Sequence, residues 1–199
     1  MPNIKTVERY FNILLNISFE YYQDALDTTF FKGDIELDET LLFREKKSKA
    51  KHRSYQLGKI WVFGIRKRLS KEFLIIPVVS RTEEKLHSII LKYVSLDSTL
   101  YTDCYSAYVN NKVFPKESKL VHYGYSHQFV NHTEEFVSQI FPQIHTNTVE
   151  RLWKELKKVV KMKHSRHKYL LHIGRFVFMR SLEREKQLRY IAKKLNIST

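Results

Sequence analysis

Three acidic residues stand where secondary-structure elements are expected to begin or end. Asp38 lies in an alternating strand pattern, Asp103 closes a short strand, and Glu150 opens a helix. Three carboxylates in one cleft repel one another unless cations bind between them. Mg²⁺ prefers oxygen ligands, and two ions about 4 Å apart can hold the attacking and leaving oxygens of a phosphodiester displacement. Because many proteins carry acidic residues at such intervals, the spacing alone is a weak signal.

The segment around Glu150 is expected to form an amphipathic helix. Residues 145–147 offer capping oxygens. Apolar residues recur at helical spacing, at Val149, Leu152, Trp153 and Leu156. Glu150 lies off the centre of this apolar stripe, so its carboxylate can extend over a cleft while the stripe anchors the helix. The alternative is a solvated glutamate, which the helix dipole favours in a first turn.

The predicted strand around Asp38 carries carboxylates on one face. Polar and apolar residues alternate over 34–40, so Ile35 and Leu37 face one side, and Glu36 and Asp38 face the other. Carboxylates on a buried face are costly unless they bind a cation or meet basic groups. The alternative is an exposed edge strand.

The remaining apolar patterns predict an alternation of strands and helices. Strands are predicted at 59–65, 72–79, 98–102 and 120–123, and helices at 4–15, 18–29, 82–94, 104–109 and 169–195. A hairpin-rich start followed by alternating elements predicts an α/β protein with a mixed sheet flanked by helices.

The residues Asn16-Ile17-Ser18 interrupt the helical period near the N-terminus. The two helices that they separate either pack together or form part of a helix-turn-helix that reads DNA. The acidic residues Glu20, Asp24 and Asp27 favour the packing pair, because acidic side chains oppose contact with phosphates.

Composition and charge narrow the class of partner. The 199 residues carry a formal net charge of +14 and a sequence pI near 9.7. This charge indicates a polyanionic partner, and nucleic acid is the first candidate.

Hydrophobic residues make up 43% of the chain, enough for a packed core. The single Cys104 excludes an internal disulfide framework and a cysteine-rich zinc site. No apolar run of about 18 residues is present, so no membrane span is expected.

The segment 44–53 is strongly basic and has almost no apolar residues. Its candidate DNA contacts are Lys46, Lys47, Lys49, Lys51 and Arg53, which are expected to follow phosphates along a strand. The alternatives are a solvated charge run and a weak match to a nuclear import signal.

Trp61 and Trp153 are predicted to be core residues.

Five segments carry distinctive residues in a fixed order. They are Ile35-Glu36-Leu37-Asp38-Glu39-Thr40, Lys59-Ile60-Trp61-Val62-Phe63-Gly64, Tyr101-Thr102-Asp103-Cys104-Tyr105-Ser106-Ala107-Tyr108, Val130-Asn131-His132-Thr133-Glu134-Glu135-Phe136-Val137 and His145-Thr146-Asn147-Thr148-Val149-Glu150-Arg151-Leu152-Trp153. Together they resemble the DDE transposases of ISXO-type insertion sequences and their eukaryotic relatives, the Merlin elements. The resemblance runs from about Gly33 to Arg180, and five ordered motifs are more specific than any one of them.

The resemblance implies an RNase H-like catalytic domain over 33–199, with antiparallel first strands and then parallel strands, after an N-terminal helical segment at 1–32. It implies cleavage and strand transfer of transposon ends with two Mg²⁺ or Mn²⁺ ions. Asp38 and Asp103 match the family's metal ligands, and Glu150 is the favoured third ligand. Some family members rely on an asparagine and a lysine instead, which here are Asn131 and Lys157. With Lys158, Lys157 is also expected to contact DNA phosphate.

The same resemblance implies double-stranded DNA as partner, both at transposon ends and at the target, and a homo-oligomer on DNA. The expected location is the nucleus in a eukaryote and the cytoplasm or nucleoid in a bacterium. Family members often carry an N-terminal zinc ribbon, which one cysteine cannot form, so a lost recognition domain or a fragment is expected. The competing functions are a truncated or domesticated DNA-binding protein that does not cut, and an RNase H-like nuclease that does not join.

Overall fold

The computed structural model describes residues 3–44, 59–130, 146–160 and 168–197. The strands are β1 (Asp34–Arg44), β2 (Lys59–Lys67), β3 (Phe73–Val78), β4 (Thr99–Asp103), β5 (Val109–Asn110), β6 (Glu117–Ser118) and β7 (Ser126–Val130). The helices are α1 (Ile4–Thr28), α2 (Glu83–Tyr93), α3 (Asn147–Val159), α4 (Lys168–Ser181) and α5 (Arg184–Lys194), with a 3₁₀ helix at Leu120–Tyr123. The chain divides into a sheet unit, Thr29–Lys154, and a helical unit formed by Met1–Thr28 and Glu155–Thr199.

A five-stranded mixed sheet forms the centre of the sheet unit. Its strand order is β3-β2-β1-β4-β7, with antiparallel pairing among the first three strands and parallel pairing from β1 to β4 and β7. The predicted α/β class, with antiparallel and then parallel strands flanked by helices, is confirmed, and the architecture is compatible with an RNase H-like fold. The predicted domain boundary at residue 33 stays a prediction.

The strand β1 lies at the centre of the sheet, so the edge-strand alternative is wrong. Its alternation buries Ile35 and Leu37 completely. The neighbouring strand β2 is apolar on both faces, as expected of a strand that is covered on both sides. Glu36 on β1 is also fully buried, and a buried carboxylate requires polar partners.

In the helical unit, α1 and α4 approach closely. An ideal Cβ placed on Gly174 of α4 would lie 3.0 Å from the Phe19 Cα of α1, so the helices meet where a side chain is absent. The rings of Tyr21 and Phe178 pack edge to face with centroids 5.3 Å apart.

Among the described helices of both units, none has the length and apolar composition needed to cross a membrane.

The predicted break in the N-terminal helix is wrong, because α1 is continuous from Ile4 to Thr28. The hydroxyl of Ser18 donates to the Leu14 carbonyl oxygen at 2.7 Å, so this serine bonds inside the helix instead of capping a second one. A helix-turn-helix at this position is therefore excluded. The predicted helix at 169–195 is helical over most of its length but forms two helices, since Glu183 has extended backbone angles and separates α4 from α5.

Two short elements were predicted with the wrong type. The predicted helix at 104–109 is a turn that leads into β5, in which the Tyr105 carbonyl accepts from the Tyr108 and Val109 N–H groups. The predicted strand at 120–123 is the 3₁₀ helix, because the hydroxyl of Ser118 accepts from the Leu120 backbone N–H and starts a tight turn. The strand itself comes later, as β7.

Candidate active site

Asp38 lies on β1 opposite Gly64 of β2, beside the indole ring of Trp153. The Trp153 Nε1–H donates to Asp38 Oδ2 at 2.6 Å. An ideal Cβ on Gly64 would lie 2.6 Å from Trp153 Cζ2 and 3.0 Å from Val149 Cγ2. The indole therefore reaches Asp38 across a position that has no side chain.

Asp103 is the last residue of β4, the parallel neighbour of β1. The register between these strands pairs Glu36 with Tyr101, and Asp38 and Asp103 each follow two residues later. The Tyr105 backbone N–H donates to Asp103 Oδ1 at 2.9 Å. The sheet thus places the two aspartates on adjacent strands, and the following turn orients the second one.

Glu150 lies in the first turn of α3, as predicted. The buried Thr146 immediately precedes this helix, and its carbonyl oxygen accepts from the Glu150 backbone N–H at 3.1 Å. Its hydroxyl donates to Glu150 Oε1 at 3.0 Å. Thr146 therefore orients the carboxylate of Glu150, which is a different role from the predicted capping of a backbone N–H.

The backbone N–H groups in the first turn of α3 bond to the sheet. Glu36 Oε2 accepts from the Thr148 N–H at 3.0 Å and from the Val149 N–H at 2.9 Å. Glu36 Oε1 accepts from the Thr148 hydroxyl at 3.0 Å and from Arg68 Nε at 3.0 Å. A buried carboxylate was expected either to bind a cation or to meet basic groups. Glu36 follows the second expectation, because it bonds to a basic side chain and to the partly positive N–H groups at a helix start.

The charges of the three predicted carboxylates act together on Asp38. Burial raises the pKa of Asp38 from 3.8 to about 7, and the Trp153 hydrogen bond opposes this rise. The negative charges of Asp103 and Glu150 raise the pKa further. The structure therefore brings Asp38, Asp103 and Glu150 into electrostatic contact, while their roles as metal ligands stay predictions.

The neighbouring Glu39 carries a second perturbed carboxyl group. Burial raises the pKa of Glu39 well above its usual value, the charges of Asp38 and Asp103 add to this, and the Arg81 charge opposes it. Glu39 Oε2 lies 3.9 Å from Arg81 Nη1. Its Oε1 is buried without a hydrogen-bond partner within the described part of the chain. The guanidinium of Arg81 lies 3.7 Å from the Trp61 ring centroid. Trp61 was predicted to be a core residue, but it is only partly buried and stacks on this cation.

The fit of a divalent cation depends on donor type and charge. Over 3–44, 59–130, 146–160 and 168–197, no group of three His, Cys, Asp or Glu side chains is already arranged to hold a metal ion. Carboxylate oxygens are nevertheless the ligands that Mg²⁺ prefers, and burial is the main cause of the raised pKa of Asp38, with the charges of Asp103 and Glu150 adding to it. The chemistry of the donor set fits a hard cation, whose charge would draw these carboxylates together.

The other predicted site residues are distributed along the chain. Asn131 and the basic residues Lys46, Lys47, Lys49, Lys51 and Arg53 lie outside the described residues. Lys157 and Lys158 are exposed in the helical unit near the end of α3. Lys158 lines a cavity of about 660 Å³ together with Lys168 and Arg175. The assignment of these residues to catalysis or DNA binding stays a prediction.

Several contacts that shape the site were not predicted from the sequence. The Glu36–Thr148 bond spans 112 residues and the Glu36–Arg68 bond spans 32, whereas Thr146 bonds to Glu150 four residues later. A signal was present for Trp153 and Gly64, because a tryptophan one turn after Glu150 and a lone glycine in an apolar strand suggest close packing. Sequence reasoning placed Trp153 in the core, where it is 5% exposed, but missed its bond to Asp38.

Without divalent cations, Asp38→Asn is expected to be more stable than wild type near neutral pH. Between about pH 4 and pH 7 the folded protein keeps a proton on Asp38 that the unfolded chain has lost, so wild-type stability falls as pH rises. An asparagine does not titrate, so the stability difference should grow across this interval. Urea unfolding in EDTA at several pH values measures it, and a pH-independent difference would contradict the assignment.

Gly64→Ala is expected to destabilise the sheet unit by about 1–3 kcal/mol, the usual cost of overpacking a core. The new methyl group would meet the Trp153 ring and displace it from Asp38. Urea unfolding measures the loss. In a Trp153→Phe background, the smaller ring leaves room for the methyl group, so the same substitution should cost less. An equal cost in both backgrounds would exclude the indole contact as the cause.

A family model described as an ISXO2-like transposase domain matches residues 30–180, well over half of the chain. This range includes β1, β4 and the first turn of α3, which carry Asp38, Asp103 and Glu150. A search of curated proteins gives no match to the chain.

Proposed function

Because the chain belongs to the family of ISXO2-like transposase domains, we propose that it cleaves DNA at transposon ends and joins the ends to target DNA. The reaction class is phosphoryl transfer, and the proposed catalytic carboxylates are Asp38, Asp103 and Glu150. The observation that carries the proposal is that Asp38 and Asp103 lie on the adjacent parallel strands β1 and β4, while the helix α3 that carries Glu150 bonds to β1 through Trp153 and Asp38. A purely structural cluster gains nothing from three like charges, whereas a cation site requires them.

The proposed cofactor is Mg²⁺ or Mn²⁺, with two ions held by Asp38, Asp103 and Glu150. When bound, such ions supply positive charge that stabilises the transition state of a phosphodiester displacement. The chain's own residues fix the ligands. Trp153 holds Asp38, the Tyr105 backbone N–H holds Asp103, and Thr146 holds Glu150. Asn131 and Lys157 remain the alternative to Glu150 as the third functional group.

The proposed partner is double-stranded DNA at the transposon ends and at the target. The net charge of +14 supports this partner, because cations that replace counterions along the phosphates drive nucleic-acid binding. The proposed contacts are Lys46, Lys47, Lys49, Lys51, Arg53, Lys157 and Lys158. We also propose a homo-oligomer on DNA, located in the nucleus of a eukaryote or the cytoplasm or nucleoid of a bacterium.

A cleavage and strand-transfer assay tests this function. The substrate is labelled DNA with the element's own flanking repeats, in Mg²⁺ or Mn²⁺. Wild type is compared with Asp38→Ala, Glu150→Ala and Asn131→Ala, and with Glu72→Ala as a control at a carboxylate whose side chain is 63% exposed. The proposal expects cut and joined products from wild type and the control and none from Asp38→Ala. Loss of products in Glu150→Ala with activity retained in Asn131→Ala identifies Glu150 as the third group, and the reverse pattern identifies Asn131.

Other outcomes of this assay support the competing functions. Cut DNA without any joined product indicates an RNase H-like nuclease. Binding without cleavage indicates a domesticated or truncated DNA-binding protein. Activity that survives in Asp38→Ala would overturn the proposed site.

A further inference from the structure

We propose that Glu36 is a positioning residue whose carboxylate holds the first turn of α3 against β1 and thereby sets Glu150 beside Asp38. The inference deepens the proposed function and depends on it for one claim, that Glu150 contacts the cation. Glu36 itself does not touch the reacting groups in this proposal. It acts through the helix that carries Glu150.

Glu36 bonds to the N-terminus of α3, and we call its bonds to Thr148, Val149 and Arg68 the Glu36 clamp. Its carboxylate accepts from the backbone N–H groups of Thr148 and Val149 at 3.0 and 2.9 Å, and from the Thr148 hydroxyl at 3.0 Å. The first N–H groups of a helix have no partner within the helix and carry partial positive charge. A carboxylate satisfies them with acceptor atoms alone, whereas an amide has one acceptor oxygen, so its NH₂ group would face either these N–H groups or the Arg68 Nε–H that now bonds to Oε1.

The helix is attached to β1 at two points, and Glu150 lies between them in the sequence. At the first point, Glu36 bonds to Thr148 and Val149. At the second, Asp38 accepts from the Trp153 indole. Two attachments along one helix restrain both its rotation and its sliding over the strand. Loss of the first would leave the Trp153–Asp38 bond as the remaining one of these two polar attachments of α3 to β1.

The clamp also reaches the strand that carries Asp103. Arg68 donates from Nε to Glu36 Oε1 at 3.0 Å, and its guanidinium lies 3.6 Å from the Tyr101 ring centroid. Tyr101 precedes Asp103 by two residues on β4. Glu36 and Arg68 therefore connect the supports of all three carboxylates, from β1, β4 and α3.

Metal binding in a double-mutant cycle tests the inference without relying on DNA cleavage. The cycle combines Glu36→Gln with Glu150→Ala, and Mn²⁺ affinity is measured from the free-ion signal in electron paramagnetic resonance. Glu36→Gln should weaken Mn²⁺ binding about 10-fold or more when Glu150 is present, a typical effect of residues that orient metal ligands. In the Glu150→Ala background the same substitution should have little effect. Equal losses in both backgrounds would overturn the inference.

A spectroscopic readout reports the clamp directly. The protein is labelled with 5-fluorotryptophan, and Trp153→Phe identifies the Trp153 fluorine resonance. Glu36→Gln should shift or broaden this resonance without any metal, because the start of α3 moves. Glu72→Gln is the matched control at an exposed carboxylate paired with Lys67 and should leave the resonance unchanged. An unchanged Trp153 resonance in folded Glu36→Gln would also overturn the inference.

Two further outcomes have a defined meaning. If Glu36→Gln fails to fold, Thr148→Val serves instead, since it removes one hydroxyl donor to Glu36 and should give smaller changes of the same sign. If wild type binds no Mn²⁺, the proposed metal chemistry fails. The fluorine spectra then test only whether Glu36 holds the start of α3. A shifted Trp153 resonance in Glu36→Gln supports this role, and an unchanged resonance contradicts it.

Discussion

Asp103→Asn is expected to abolish Mg²⁺-dependent cleavage and to leave DNA binding intact. Cations that stabilise charge in a phosphoryl-transfer transition state contribute several kcal/mol, so loss of a ligand should lower the rate about 10³-fold or more. The fold should persist, because an asparagine oxygen can still accept the Tyr105 N–H that now binds Asp103 Oδ1 at 2.9 Å. Single-turnover cleavage of labelled DNA measures the rate, and a separate titration measures DNA binding.

The control for this prediction is Asp97→Asn, which makes the same chemical change at the surface. The Asp97 side chain is 54% exposed and pairs with Lys32, an arrangement that contributes little to stability. This variant should cut DNA as wild type does. Equal cleavage by Asp103→Asn and wild type would remove Asp103 from the site. Lost DNA binding in Asp103→Asn would assign the aspartate to the binding surface.

Arg68→Met should cause a large loss of stability in the sheet unit. Glu36 is fully buried and Arg68 is its basic partner, with 12% of the Arg68 side chain exposed. Removing one member of a buried ion pair leaves a charge with less compensation, and the expected cost is about 3 kcal/mol. For a chain of this length, that corresponds to a fall in Tm of about 6–12 °C. Calorimetry or thermal circular dichroism measures the change.

The double variant Arg68→Met/Glu36→Gln separates charge from packing. If the loss comes from an uncompensated carboxylate, the second substitution should recover part of the stability lost in Arg68→Met. A double variant whose loss equals the sum of the single losses would mean that Arg68 stabilises mainly by stacking on Tyr101.

Local patterns were sufficient to predict the elements that carry the three acidic residues. The alternation around Asp38 predicted β1, and the apolar stripe around Glu150 predicted α3. Both signals come from one face of a single element packing on a core, and this requires no knowledge of distant contacts. The family resemblance added the pairing of the strands, antiparallel for the first three and then parallel, which the pattern alone left open.

Elements whose form depends on short-range side-chain bonds were predicted poorly. Ser18 was predicted to begin a helix, but its hydroxyl bonds inside one. Ser118 caps a 3₁₀ turn where a strand was predicted. Each serine has several local hydrogen-bonding options with similar energies, and tertiary packing decides among them. The bonds of Glu36 were likewise not predictable, because their donors are brought close only by the completed sheet.

The burial of Asp38 has a consequence for copies of this gene that lose the aspartate. A copy in which Asp38 becomes asparagine loses the proposed catalysis but is relieved of a buried charge, so it should fold at least as well as its parent. Its basic residues are untouched by that change. Such a copy should therefore keep its fold and its net charge near +14 while losing the proposed cleavage activity.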